Sequence, residues 1–506
     1  MSYYLGIDVG TSGTKALVMD EKGRVVRTAT EAYVVDMPQN GWAEQHPAIW
    51  WDATVKVLQN VLSNAEYKDN IKAVGLTGQM HGLVMLDKNG EVIRPALLWC
   101  DQRTGDQCRQ ITELVGEKRH IELTANPALT GFTSPKILWV REHEPENYAK
   151  CAMIMLPKDY IRFKLTGDNA GDMSDASGTG LLDVPNRCWS DEVLGKLNID
   201  KGLLGKLYES CEVTGRISDA AARETGLVSG LPVTAGAGDN AAAAIGTGVA
   251  REGSAFVTIG TSGVVFAHTQ TVQIDPLGRV HTFCAAVPGE WHVMGVSLAA
   301  GMSLQWLRNV ALQTLVCQAT KDGADVYDIM TALAAKSPVG SNRLIFLPYL
   351  NGERTPHKDP DCRGVFFGLS ASHEQGDLIR AVMEGVSFAA KDSLDIINNM
   401  GAAVSGITAC GGGGGSAFWR GMLADVFGIP VAAAQSQEGP AMGAAILAAV
   451  GAGAFKSVPE ACETLIKTNA PTQPNKSAFN DYAKYHKLYN SLYTSLKDNF
   501  KTLGGL

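Results

Sequence analysis

The residues of this chain best suited to chemistry on phosphate are one aspartate and a pair of matched turns. Gly-Thr-Ser-Gly occurs within Asp8-Val9-Gly10-Thr11-Ser12-Gly13 and again within Thr258-Ile259-Gly260-Thr261-Ser262-Gly263. Glycine permits close backbone approach and positive φ, and the threonine and serine hydroxyls add donors to free amides, so each turn can act as an anion-binding nest. A single copy reads equally as a plain hairpin; recurrence in two halves of the chain favours a clasp on the phosphates of a nucleotide, with Gly10, Thr11, Ser12, Gly260 and Thr261 as its contacts. Asp8 in the first copy is replaced by Thr258 in the second. Magnesium keeps much of its water and takes one or two protein carboxylates, so Asp8 suits Mg2+, directly or through water. The plainer alternative is an aspartate closing its own turn.

A second carboxylate, Asp239 in Gly236-Ala237-Gly238-Asp239-Asn240, lies between the two turns in sequence and is the candidate general base for an attacking hydroxyl. An Asp before the small-residue run Ala241 to Ala244 is equally a helix N-cap. Gln79-Met80-His81-Gly82 follows an apolar strand, at the strand end where α/β proteins place ligands. His81 there can orient a substrate hydroxyl or serve structure alone. Trp99-Cys100-Asp101-Gln102-Arg103 and Gly41-Trp42-Ala43-Glu44-Gln45 set aromatic surfaces beside polar groups, a pairing that suits a sugar, with packing as the alternative for each tryptophan. Neither GxxxxGK[ST] nor a helix-opening GxGxxG is present.

The elements that must hold these residues follow from apolar periodicity. Tyr4 to Val9 with Ala16 to Met19, and Ala255 to Ile259 with Val264 to Ala267, read as hairpin strands around the two turns. Ile71 to Thr77 and Val84 to Leu86 read as strands and Pro47 to Leu62 as a helix, which is α/β patterning. Small residues from Gly230 to Gly253 mark a hinge, giving domains 1–246 and 247–506. In the second, a helix over 377–400 presents Leu378, Val382, Val386, Ala389 and Ile396 on one face. Ala409 to Ser416 reads as strand, glycine loop and helix, capped by Ser416, and the tail 476–506 as an amphipathic helix with a frayed end.

The chain has 506 residues, 45% hydrophobic and 19% charged, with a formal charge of −8. That length suits two large domains, and the charge does not advertise a nucleic-acid surface. Apolar runs fall short of the roughly 18 residues a membrane helix needs, and the start lacks a basic region or cleavage site, so the expected location is cytoplasmic. Ten cysteines without CxxC or Cys/His ligand spacing read as reduced thiols.

Taken together, the constellation resembles the FGGY carbohydrate kinases, a family of the actin-like and hexokinase-like superfamily. Gly131-Phe132-Thr133-Ser134-Pro135-Lys136-Ile137-Leu138-Trp139 through His143 matches one family signature, and Gly364 to Leu369 through Ala381-Val382-Met383-Glu384 matches another. Gln79 to Gly82, Leu156-Pro157-Lys158-Asp159-Tyr160, Gly238-Asp239-Asn240 and Leu347 to His357 look most like the members that phosphorylate D-xylulose; the Arg-Glu pair expected of a glycerol-phosphorylating member is not at Met80-His81. The resemblance implies a two-domain ATPase fold with ribonuclease-H-like cores and an interdomain cleft, ATP and Mg2+ as cofactors, and γ-phosphoryl transfer to the sugar's 5-hydroxyl. It implies Asp239 as the base, Asp8 for metal and phosphate geometry, and Met80 and His81 as sugar contacts; Trp99 and Asp101 join them as candidate sugar contacts on their aromatic and polar pairing alone. Gly412, Gly413 and Ser416 would lie along the adenosine, with Gly415 where members often carry a longer polar side chain. A homodimer is the expected assembly. Ribulose, fuculose, rhamnulose and gluconate stay open as substrates, as do a catalytically idle sugar sensor and a chaperone-like ATPase.

Overall fold

The computed structural model describes residues 1–435 and 438–506. Two compact units form. The first comprises Met1–Arg251, His268–His292 and Glu438–Lys467, and the second Glu252–Ala267, Val293–Gln437 and Thr468–Leu506. The units are thus not two uninterrupted halves of the sequence: the first takes in two segments from well beyond the hinge region, and these interrupt the second.

In the first unit, strands β1 (Tyr3–Val9), β2 (Gly13–Asp20), β3 (Val25–Ala32), β4 (Ile71–Gly78), β5 (Val213–Arg216) and β6 (Pro232–Thr234) form one sheet in the order β5-β6-β4-β1-β2-β3. β1 pairs parallel with β4 and antiparallel with β2, and β4 pairs parallel with β6. β1 and β4 are buried almost throughout, as strands covered on both faces must be, whereas the edge strand β3 alternates toward solvent. One face carries the helix Pro47–Val61. The other carries the helix Gly439–Gly451, which sits so close that a methyl group at Gly6 or Gly75 would overlap the main-chain oxygens of Ala441 and Ala444. The same helix crosses the helix Asp239–Gly246 at Gly443 and Gly246, again with main-chain oxygens where side chains would be.

The second unit repeats the plan. β7 (Ser254–Ile259) pairs antiparallel with β8 (Gly263–Thr269) and parallel with β10 (Gly406–Cys410), which pairs parallel with β11 (Val431–Ala433); β9 (Trp291–Ser297) lies beyond β8. The expected two-domain α/β fold with a sheet in each domain is what forms, and the Gly-Thr-Ser-Gly turns occupy equivalent positions, joining β1 to β2 and β7 to β8.

The long helix runs Gln375–Asn399 and is buried on more than one face, including Arg380 and Glu384, which pair with each other. Leu378 is only part-buried, and Ile379 and Met383 take its place in the core. The C-terminal helix spans Lys476–Gly504, capped by Asn475, and buries Tyr482, Tyr489, Leu492 and Phe500. Among the described residues no helix is long and apolar enough to cross a membrane, and all ten cysteines are free thiols.

Candidate functional site

Both turns are fastened from behind, each by its own neighbours. In the first, Gly10 N–H donates to the Gly13 carbonyl at 3.0 Å, and the Tyr33 hydroxyl donates to the Gly10 carbonyl at 2.7 Å. In the second, the carbonyl of Thr261 accepts from the amides of Ala300 and Met302, both at 3.1 Å, where the helix Gly301–Ala311 begins. Of the two properties expected of the turn glycines, positive φ is used by none of the four. Close approach is the reason for Gly13 instead, since a Cβ there would stand 2.9 Å from the Glu31 oxygen.

Asp8 lies on β1 beside Lys15 and Thr77 in the sheet register. Its Oδ1 is buried with no hydrogen-bond partner among the described residues. Burial first, and the nearby Asp239 carboxylate second, push its pKa up to about 7. A buried carboxylate oxygen without a donor fits a hard cation, and one carboxylate suffices for Mg2+. No cluster of three or more ligating side chains exists among the described residues, so a cage made wholly of protein is not on offer.

Asp239 is the first residue of its helix, and Gly238 occupies the N-cap position. This resolves the capping alternative: Asp239 Oδ1 accepts from the main-chain and side-chain nitrogens of Asn240, at 2.7 and 3.0 Å, and Oδ2 has no partner among the described residues. Burial raises its pKa to about 6 against the lowering effect of those Asn240 bonds. The turn is held from below. Gly238 N–H donates to Ser174 Oγ at 3.0 Å, Ser174 donates to Asp172 Oδ2 at 2.6 Å, and Asp172 Oδ1 lies 2.9 Å from the buried ammonium of Lys158. Lys158 also meets Asp159 at 2.5 Å.

Met80 and His81 come to the same place. Gly78 at the end of β4 bridges to Gly238, and the Met80 side chain packs on Gly238, where a Cβ would be 3.1 Å from Met80 Cγ. The His81 ring stacks on Phe132 with centroids 4.6 Å apart, and its Nδ1 lies 2.7 Å from the Gly178 carbonyl. A side chain at Gly178 would run into both His81 and Met80.

The remaining predicted sugar contacts divide. Trp99 stays 42% exposed, and its Nε1 donates to Thr11 Oγ1 at 2.9 Å. Thr11 in turn donates to Gln79 Oε1 at 3.2 Å. The Thr11 hydroxyl is therefore engaged by Trp99 and Gln79, which leaves the main-chain amides of this turn as its means of holding an anion. Asp101 is fully buried. Both its oxygens are taken by Arg103, with Oδ2 also accepting from Ala43 N–H at 2.7 Å. That ion pair, with Arg103 stacked 3.6 Å from the Trp42 ring, builds the loop and offers no free carboxylate to a sugar.

In the second unit a cavity of about 690 Å³ is lined by Gly260, Thr261, Gly412, Gly413 and Ser416. Here the Thr261 side chain is exposed and has no partner among the described residues, in contrast to Thr11. Residues Gly411–Gly415 form a helical turn where a loop was expected. Gly411 needs its φ of +74°, and a Cβ at Gly413 would stand 2.5 Å from Ile259 Cγ2. Around Gly412 and Gly415 space is open. Ser416 caps the helix Ala417–Phe427, accepting from Trp419 N–H at 3.4 Å. The rim adds Asp325, Tyr327, Asp328 and Phe418. Aromatic surface and acceptors around open glycine backbone suit a flat base with a hydroxylated ribose. Asp325 to Asp328 carry no motif and were not singled out from sequence. The Lys158–Asp172 pairing was equally hidden, since its partners are separated along the chain and meet only in the fold.

Compared with models of known families, residues 3–246 match the N-terminal domain, and residues 255–452 the C-terminal domain, of the FGGY family of carbohydrate kinases. A xylulose kinase of Staphylococcus epidermidis is 40% identical over 496 residues, 97% of each chain. One from Escherichia coli is 39% identical over 494 residues, 97% of this chain and 99% of the relative. The crystal structure of xylulose kinase from Rhodospirillum rubrum superposes with a TM-score of 0.91 at 30% identity, covering 99% of this chain and 100% of that one.

Proposed function

The chain belongs to the FGGY family of carbohydrate kinases, and from that premise we propose that it transfers the γ-phosphoryl group of ATP to the 5-hydroxyl of D-xylulose. Near-full-length likeness to xylulose kinases carries the choice of sugar. In the first unit, Met80 and His81 receive the sugar beside Asp239. Asp239 Oδ2 accepts the hydroxyl proton as the sugar oxygen bonds to the γ-phosphorus and the bond to the ADP oxygen breaks. Asp8 would hold Mg2+, which when bound neutralises charge on the phosphate oxygens. In the second unit, the glycine-lined cavity takes the adenosine, and Thr261 presents a free hydroxyl to phosphate.

A base whose pKa is raised to about 6 works only when deprotonated. The rate at limiting D-xylulose should therefore climb about tenfold per pH unit below pH 6 and level off above it. A flat profile from pH 5 to 7, measured by ADP release in buffers of constant ionic strength, would remove Asp239 from the base role.

Substrate choice is tested by coupled ADP release with D-xylulose, D-ribulose, L-fuculose, L-rhamnulose, gluconate and no sugar. Stimulation is expected to be strongest with D-xylulose, over a weak sugar-independent ATPase. Stronger stimulation by another sugar changes the substrate and keeps the chemistry. An equal rate in every well would leave an idle sensor or a chaperone-like ATPase.

A further inference from the structure

The segment Gly131–Lys136, which carries a family signature, reaches the site through Phe132, stacked on His81. Its lysine is in an unusual position. Lys136 is 0% exposed, and its ammonium makes no ion pair with a carboxylate among the described residues. An ammonium withdrawn from water without a counter-ion is costly. Burial pushes its pKa down to about 7 even though Asp101 pulls it upward.

The hydrogen bonds of Lys136 all go to main-chain oxygens. Nζ donates to the His81 carbonyl at 2.9 Å and to the Gly131 carbonyl at 2.5 Å. The Thr133 hydroxyl donates to the same His81 carbonyl at 3.1 Å. His81 has φ of +67°, in the left-handed region that side-chain-bearing residues avoid. Such a conformation persists only where surrounding groups hold it. Phe132, immediately before Thr133 in sequence, stacks on the His81 ring. One short segment thus fixes both the backbone and the ring of this residue.

We infer that Lys136, assisted by Thr133, is a positioning residue for the sugar end of the site, pinning the His81 carbonyl so that His81 and Met80 are set before the sugar arrives. The inference rests on the reading of His81 as a sugar contact. Its direct consequence is a defect in sugar binding that spares nucleotide binding. A lysine that served stability alone would lower the active fraction, and hence kcat, without moving KM for the sugar.

The test is steady-state kinetics, with D-xylulose and ATP varied separately, on Lys136→Met, Thr133→Val, His81→Ala and the double variants with His81→Ala. Lys136→Met is expected to raise KM for D-xylulose about tenfold or more, since small misplacements of positioning groups are costly. KM for ATP should stay within about twofold. Thr133→Val, which removes one of two donors, should raise the sugar KM about threefold, and it carries the test should Lys136→Met prove insoluble. Both effects should disappear in the His81→Ala background. An unmoved sugar KM in Lys136→Met or Thr133→Val, with His81→Ala raising it, overturns the positioning role alone. Effects that add fully to that of His81→Ala also overturn it. An unmoved sugar KM in His81→Ala itself removes the sugar-contact reading and the inference with it.

Discussion

Asp239→Asn is expected to bind both substrates and to lose D-xylulose phosphorylation by about 10²- to 10⁴-fold, the range of a general base. The substitution is nearly isosteric. Asparagine can still accept the Asn240 N–H that Asp239 Oδ1 accepts at 2.7 Å, so the helix start is kept and only the proton-accepting oxygen is lost. Stability should move the other way. The folded-state pKa of about 6 lies above the ordinary aspartate value, so this group favours folding when protonated, at low pH, and that contribution is lost as pH rises through 6. A neutral asparagine removes the burden of the ionised form, and Tm at pH 7.5 should be unchanged or higher. Activity within about tenfold of wild type would end the base assignment, and a large drop in Tm would recast Asp239 as structural.

Gly443→Val is expected to abolish the folded protein. The first unit packs the helix Gly439–Gly451 against β1, β4 and the helix Asp239–Gly246 through backbone contacts, and a side chain at Gly443 would occupy the position of the Ala242 carbonyl. Ordinary overpacking costs about 1–3 kcal/mol. Overlap with backbone leaves no rotamer to relieve it, so the loss should exceed that range and appear as insoluble protein or a collapsed unfolding transition. Gly421→Ala is the control. Gly421 lies within the helix Ala417–Phe427 with open space around it, and alanine there should stabilise by up to about 1 kcal/mol. Soluble, cooperatively unfolding Gly443→Val would refute the packing argument.

The two hairpins were legible because each combines apolar runs of strand length with a tight glycine turn, signals that act locally. Which of the two glycine properties applies was not legible. Positive φ and close approach look the same in sequence, and only the neighbouring strand β3, through Glu31, shows which applies at Gly13. Asp239 was ambiguous for a similar cause, since an aspartate before a run of alanines has the chemistry of both a cap and a base; the helix start fell one residue earlier, at Gly238. Asp101 illustrates the opposite limit. Beside Trp99 it resembled a sugar-facing carboxylate, yet Arg103, two residues on, closes on it and withdraws both from solvent. Least legible was the membership of the units, because an alanine-rich helix is apolar on every side and carries no mark of the sheet it will cover.

The helix Gly439–Gly451 also sets a clock. A chain made from its N-terminus exposes β1 and β4, with their glycine-floored face, long before residues 439–451 leave the ribosome. Through most of synthesis the first unit therefore lacks one of its layers, and a fragment ending near residue 251 should behave as an aggregation-prone intermediate rather than a domain. Completion of this half waits for a helix made long after the strands it covers.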